Sequence, residues 1–212
     1  LPGSPKWARH GRWYPELAFF EELADGNALE VERSWERELL NPLVGDSMLE
    51  LGNKIKGTMV YKKVFEGLGF RHVSVDVNGK DGALPLDLRK PLNLGTFDMV
   101  TNIGTTEHVS QNDFAGQVAC WRNILHAMHI GSVLVSITPL PGSPKWARHG
   151  RWYPELAFFE ELADGNALEV ERSYTDSNLV YARLRRVDDA PFLMPKHGMY
   201  RNPNDLKGSD NV

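Results

Sequence analysis

Among 212 residues there is one cysteine, Cys120. A lone thiol excludes an intramolecular disulfide and a cysteine metal cluster, and no metal site is expected. Set in the helix-like stretch GQVACWRNIL, it reads more readily as a packing residue than as a nucleophile. No run approaches the ~18 apolar residues of a bilayer span, so a membrane protein is not expected. Neither sign of charge dominates: the net charge of −4 gives no general attraction to nucleic acid, and a nucleic-acid partner is unsupported. The hydrolase elbow G-x-S-x-G is missing, as is the dinucleotide fingerprint G-x-G-x-x-G. With cysteine scarce and no signal segment before the first block, a cytoplasmic setting is expected.

What the sequence does contain is an exact repeat. Leu1–Ser34 equals Leu140–Ser173 letter for letter, and the identity then stops abruptly. Stacked repeat folds have several degenerate units, since each adapts to different neighbours, so two perfect copies do not announce a solenoid. The first copy is expected to be an appendage or artefact over 1–34, followed by one domain over 35–188 and an irregular tail over 189–212. Its deletion is expected to leave ligand binding intact, as a titration of the shortened chain would show; loss of folding would overturn this.

From Ser47 onward, short apolar runs alternate with helical stretches. Strands are expected at Ser47 to Asn53, Arg71 to Gly79, Phe97 to Gly104, Gly131 to Leu140, and in ALEVERSYT and NLVYARLRRV. Helices are expected at Thr58 to Gly69, about Asn112 to Met128, and in YPELAFFEELADG. Between the second and third of those strands only a brief extended piece, Ala83 to Leu88, fits. Alternation of this kind argues for a parallel sheet covered by helices on both faces. The last two strands, separated only by DSN, read as an antiparallel hairpin at one edge.

Ligands of open parallel sheets lie beyond the carboxyl ends of the strands. The first strand ends in LELGNKIKG, offering Glu50, Gly52, Asn53 and Gly57; glycines there let a ligand approach the backbone, and an ordinary strand-to-helix turn is the competing account. The second ends in VDVNG, where Asp76 has the position of a carboxylate that accepts from both ribose hydroxyls. A turn shaped by Asp76 and Asn78 is an equal alternative. Asp87 and Leu88 in LPLDLRKP could meet an adenine edge and face, or sit in a solvated loop. The strand from Phe97 ends in TNIGTTEHVS, with Asn102, Thr105, Glu107 and His108; Glu107 and His108 form a candidate general base, against the alternative of a packing histidine. In the second copy of the repeat, Lys145, Trp146, Arg148, His149, Arg151, Trp152 and Tyr153 follow a strand directly and could wall an anionic or sugar-like acceptor, or cap the core.

The order LELG, VSVDVNG, LPLDL, FDMVTNIGTTEHV, GSVLVSITP resembles the class I S-adenosylmethionine-dependent methyltransferase family over roughly Ser47 to Val187. The resemblance implies an α/β, Rossmann-like three-layer sandwich with a mostly parallel seven-stranded sheet and an antiparallel edge hairpin. It implies S-adenosyl-L-methionine as cofactor, with Glu50, Gly52 and Asn53 along its methionine part, Asp76 on the ribose, Asp87 and Leu88 beside the adenine, and Asn102 through His108 near the sulfonium and a small-molecule or glycan-like acceptor. Two departures stand out: the first loop lacks closely spaced glycines, and the link from Asp76 to Asp87 leaves no room for a full helix. The rivals are an NAD-dependent oxidoreductase, since Asp76 could hold that ribose too, and a non-catalytic nucleoside-binding or interaction module.

Overall fold

The computed structural model describes residues 43–53, 55–56, 59–109, 113–143, 150–176 and 178–202. The chain divides into units 1–43 and 44–212, and the architecture below belongs to the second. The first copy of the repeat, Gly57, Lys145, Trp146, Arg148 and His149 lie outside the described residues.

In chain order the elements are β1 (Ser47–Leu51), β2 (Ile55–Lys56), β3 (Met59–Val60), α1 (Tyr61–Gly67), β4 (Arg71–Val75), β5 (Phe97–Ile103), α2 (Phe114–His126), β6 (Met128–Pro139), β7 (Trp152–Pro154), α3 (Leu156–Gly165), β8 (Leu168–Thr175), β9 (Leu179–Arg186) and β10 (Met199–Arg201). Single 3-10 turns occupy Lys80–Gly82 and Thr106–His108. The main sheet has the order β4-β1-β5-β6-β9-β8. Its first four strands are parallel; β9 runs antiparallel to both β6 and β8, the edge hairpin expected from DSN.

Six strands are paired where seven were expected, and proline supplies the reason. At the position of the seventh, Leu84 makes an isolated parallel bridge to Val75, donating to Ser74 O at 2.8 Å and accepting from Asp76 N at 3.0 Å. Pro85 then has no N–H for a ladder, and Leu86 N turns back onto Leu84 O at 2.8 Å. The rest of this connection is ordered from elsewhere: Asn123 on α2 donates to Leu88 O and Lys90 O, both at 2.8 Å.

Period-two patterning decides which face each strand residue takes. One row across the sheet reads Val73, Leu49, Val100, Leu134, Leu184, and onto this face pack Cys120, Trp121, Ile124 and Leu125 of α2 with Phe158, Phe159, Leu162 and Ala163 of α3. The Trp121 ring lies 4.9 Å from Phe158 and 5.9 Å from Phe159, pairs that add about 0.5–1.5 kcal/mol beyond burial. Asp113 caps α2 by accepting from Gly116 N at 2.7 Å, and Arg186 closes its other end with bonds to Leu125 O and Met128 O. Cys120 is buried in this core and burial pushes its thiol up out of the reactive range, which fits the packing account. The next row, on the opposite face, reads Ser74, Glu50, Thr101, Val135, Arg183, and Phe65 of α1 stacks on His72 there. Helices therefore flank both faces.

The helix expected from Thr58 begins instead at Tyr61, because Met59 and Val60 pair with Lys56 and Ile55. The segment after Asp188, expected to be irregular, carries β10, which pairs with β7. No helix among the described residues is long and apolar enough to cross a membrane.

Candidate active site

The carboxyl ends of β1, β4 and β5 are neighbours in the sheet, and their loops are stitched together. Gly52 N donates to Val75 O at 2.8 Å, tying the first loop to the end of β4. Thr105, after β5, donates its hydroxyl to Leu51 O at 2.7 Å. Gly52 has φ +76°, and a Cβ built on it would fall 2.4 Å from Thr105 Oγ1. Asn53 extends the stitching by donating to Lys80 O at 2.8 Å, across to the turn that follows β4.

Asp76 does shape that turn: one carboxylate oxygen accepts from Asn78 N at 3.0 Å, and Asn78 in turn accepts from Lys80 N. The turn consumes one oxygen only, and the other takes no hydrogen bond from the described residues. Turn and ribose carboxylate are thus compatible at the same residue. Beside it lie two apolar side chains facing water, Val77 at 73 % exposure and the half-exposed Leu84. An apolar residue inside the turn sequence DVNG was the available signal for Val77, and its solvent exposure is what distinguishes it from a core residue.

Other expected residues have different surroundings. The Asp87 carboxylate is held in a fork by Arg89 at 2.7–3.1 Å, whose hydrogen bonds keep it below the usual carboxylate range. Leu88 is buried in the apolar core. Asn102 is buried, donating to Thr106 Oγ1 at 2.8 Å and Ser136 Oγ at 2.9 Å and accepting from Thr106 N at 3.1 Å, so its side chain fixes the loop from inside. Glu50 is buried on the sheet face that carries His72, with Oε2 3.4 Å from His72 Nε2.

Past Thr105 the chain makes its 3-10 turn, and Gln117 of α2 anchors it by donating to Thr106 O and Val109 O. Glu107 is 1 % exposed, with its Oε1 3.8 Å from Nε2 of His108, whose side chain is 45 % exposed. Gly150 lies directly against Glu107: a Cβ there would fall 2.5 Å from Glu107 Cγ. Arg151 N donates to Glu107 O at 2.7 Å. The second repeat copy is thereby brought to the loop after β5. Its aromatics among the described residues are interior: Trp152 is buried, and the Tyr153 hydroxyl bonds with Gly150 N at 3.1 Å and Gly150 O at 3.0 Å. Phe114, 41 % exposed at the start of α2, presents an aromatic face to water with its ring 5.5 Å from Trp152. Sequence reading passed over Phe114 because its partner is 38 positions away.

Two groups result. Gly52, Asn53, Asp76 and Val77 surround the β1 and β4 loops, while His108, Glu107, Arg151 and Phe114 lie around the β5 loop; Asp87, Leu88, Asn102 and Tyr153 serve the framework. No protein-family model matches the chain, and no curated protein does. Among solved structures it is similar to the 1,6-didemethyltoxoflavin-N1-methyltransferase of Burkholderia thailandensis, determined with S-adenosylhomocysteine, at 13 % identity over 81 % of this chain and 86 % of that one, TM-score 0.56. It is similar to the N-methyltransferase NodS of Bradyrhizobium japonicum at 16 % identity over 77 % and 99 %, TM-score 0.55. A TehB-like S-adenosylmethionine-dependent methyltransferase of Corynebacterium glutamicum follows at 14 % identity over 80 % and 96 %, TM-score 0.50. What these likenesses show is the fold: the chain has the Rossmann-like architecture that such methyltransferases share.

Proposed function

We propose that the chain transfers a methyl group from S-adenosyl-L-methionine to a small-molecule or glycan-like acceptor. The observation that carries this reading is the juxtaposition of Gly52 with the end of β4, which sets a backbone loop beside a carboxylate with an uncommitted oxygen, in a sheet whose β9 is antiparallel. The residues fit the cofactor at its ribose and methionine parts. Asp76 would accept from the ribose hydroxyls through its remaining oxygen, and the loop at Gly52 and Asn53 would follow the methionine part. Val77 and Leu84 supply an apolar flank for the adenine in place of the buried Leu88; Asp87, held by Arg89, is not needed for it.

When bound, the cofactor supplies an electrophilic methyl on a sulfonium. The chain's own task is then to place an acceptor in line with it and exclude water. His108 is the member of the Glu107–His108 pair that an acceptor can reach, so it would take a proton from the acceptor atom, with the buried Glu107 carboxylate 3.8 Å from its Nε2. Phe114, against Trp152, offers an aromatic face and Arg151, next to Glu107, a cation, which suits an anionic or ring-bearing acceptor.

Calorimetric titration with S-adenosylhomocysteine, with NAD as comparison, tests this. Binding of the former alone is expected, weakened ~10–100-fold in Asp76→Ala, the size of a lost hydrogen bond to a charged group. Binding of NAD alone would transfer the site to an oxidoreductase.

A further inference from the structure

Residues 187–202, the described part of the segment after β9, contain no helix, yet they are bonded along α3 and lead to the candidate site. Asn166, just past α3, brackets Leu193, donating to its carbonyl at 2.8 Å and accepting from its amide at 2.7 Å. One turn back, the Glu161 carboxylate accepts from Lys196 N at 3.1 Å and His197 N at 2.9 Å; the His197 amide foremost holds it below its ordinary range. At the start of the helix Glu155 N donates to Gly198 O at 2.7 Å. Then β10 adds to β7, and Asn202 follows, 4 % exposed.

Asn202 bonds to the loop rather than to α3. Its amide donates to Arg151 O at 2.7 Å, and its side-chain Nδ2 donates to Gly150 O at 2.9 Å and Tyr153 Oη at 3.2 Å. Gly150 and Arg151 both meet Glu107, one through close approach and the other through the hydrogen bond its N–H donates to the Glu107 carbonyl. A continuous run of contacts therefore leads from α3 through residues 193–202 to the Glu107–His108 turn.

We infer that residues 193–202 are a strap that sets the acceptor side of the site, and that Asn202 is its positioning residue, acting through Gly150 and Arg151 on Glu107 and His108. That this side receives an acceptor rests on the methyl-transfer reading; the strap's control of the loop does not. Gly52, Asn53 and Asp76 take their bonds from β4, its following turn and Asn78, and the β5 loop is tied to β1 at Thr105, one residue before the turn that the strap reaches. The strap should therefore govern one half of the site and leave the other alone.

Amide hydrogen exchange on the full chain, wild type against Asn202→Ala, with Tyr153→Phe as a second variant cutting a different tie to Gly150, reads this directly. The expected result is exchange accelerated ~10-fold or more at Gly150, Arg151, His108 and Val109, with the amides of Gly52 and β4 unchanged and the S-adenosylhomocysteine Kd within about twofold of wild type. On an acceptor that wild type methylates, acceptor KM rises while cofactor KM holds. Unchanged exchange at those four amides overturns the inference, and so does acceleration spread evenly over the sheet or loss of folding in both variants, each of which makes the strap mere fold stability. If wild type binds no S-adenosylhomocysteine, the methyl-transfer reading fails and the exchange pattern still decides the strap.

Discussion

Gly52→Ala is expected to lower the affinity for S-adenosylhomocysteine at least ~100-fold and to cost about 2–3 kcal/mol of stability. Two independent penalties meet at this residue. Its φ of +76° is left-handed, which costs a residue with a Cβ roughly 1–2 kcal/mol. The new carbon would also stand 2.4 Å from Thr105 Oγ1, and that hydroxyl is committed to Leu51 O at 2.7 Å, so relieving the overlap breaks a bond worth about 1 kcal/mol. Both adjustments displace the stitching between the β1 and β5 loops, where the cofactor's methionine part is proposed to lie. The double variant Gly52→Ala/Thr105→Ala removes the overlap and keeps the backbone penalty. Urea unfolding and ligand titration on the three proteins separate the terms; a Gly52→Ala chain that unfolds and binds like wild type would remove the loop from the site.

Strand positions were legible because the core row alternates: Leu49 and Leu51, Val73 and Val75, and Val180 and Ala182 face one way, and their neighbours face the other. The edge hairpin was legible from its short turn, which Asp176 builds by accepting from Asn178 N and Leu179 N. The seventh strand failed at Pro85, a residue whose consequence depended on which bond the ladder needed next. Pairings without a local signature stayed hidden, above all β10 with β7, which are more than 40 residues apart with α3, β8 and β9 between them. Of the candidate site residues, Gly52 and Asp76 lie at the neighbouring ends of β1 and β4, a placement that topology alone predicts. The sequence places Asn102 beside a ligand and Tyr153 either there or capping the core; the polar groups of both turn inward to Thr106, Ser136 and Gly150, partners that a linear pattern of polar residues does not reveal. Asn123, Asn166 and Asn202 share this property: each is a carboxamide that ties an irregular segment to a regular element, and nothing adjacent in sequence marks it.

Between pH 6.5 and about 4, stability is expected to fall by roughly 3 kcal/mol on account of His72 alone. Burial chiefly, with Lys62 adding repulsion, lowers its pKa from the ordinary 6.5 to about 4, against a smaller opposing effect of Glu66. The sign follows from proton counting. In this window the unfolded histidine binds a proton that the folded one refuses, so acid favours unfolding; the contribution is complete above pH 6.5 and gone below about 4. Glu50 is the group that could reverse this, at 3.4 Å from Nε2 on the adjacent strand. The contact lacks hydrogen-bond alignment, no described group bonds to either ring nitrogen, and the ring lies flat on Phe65 at 5.7 Å, so desolvation prevails. The depressed carboxylates Asp87, Asp98, Glu161 and Glu171 lose their contributions only as pH falls from the ordinary carboxylate range downward, which leaves the interval from pH 6.5 to about 4.5 to His72 among these displaced groups. Urea unfolding at a series of pH values should therefore show a slope there in wild type that His72→Gln flattens. A wild type that gains stability as pH falls through 6.5 would mean that Glu50 holds a charged imidazolium inside the sheet face, and the buried row of Ser74, Glu50 and Thr101 would then have an ion pair at its edge.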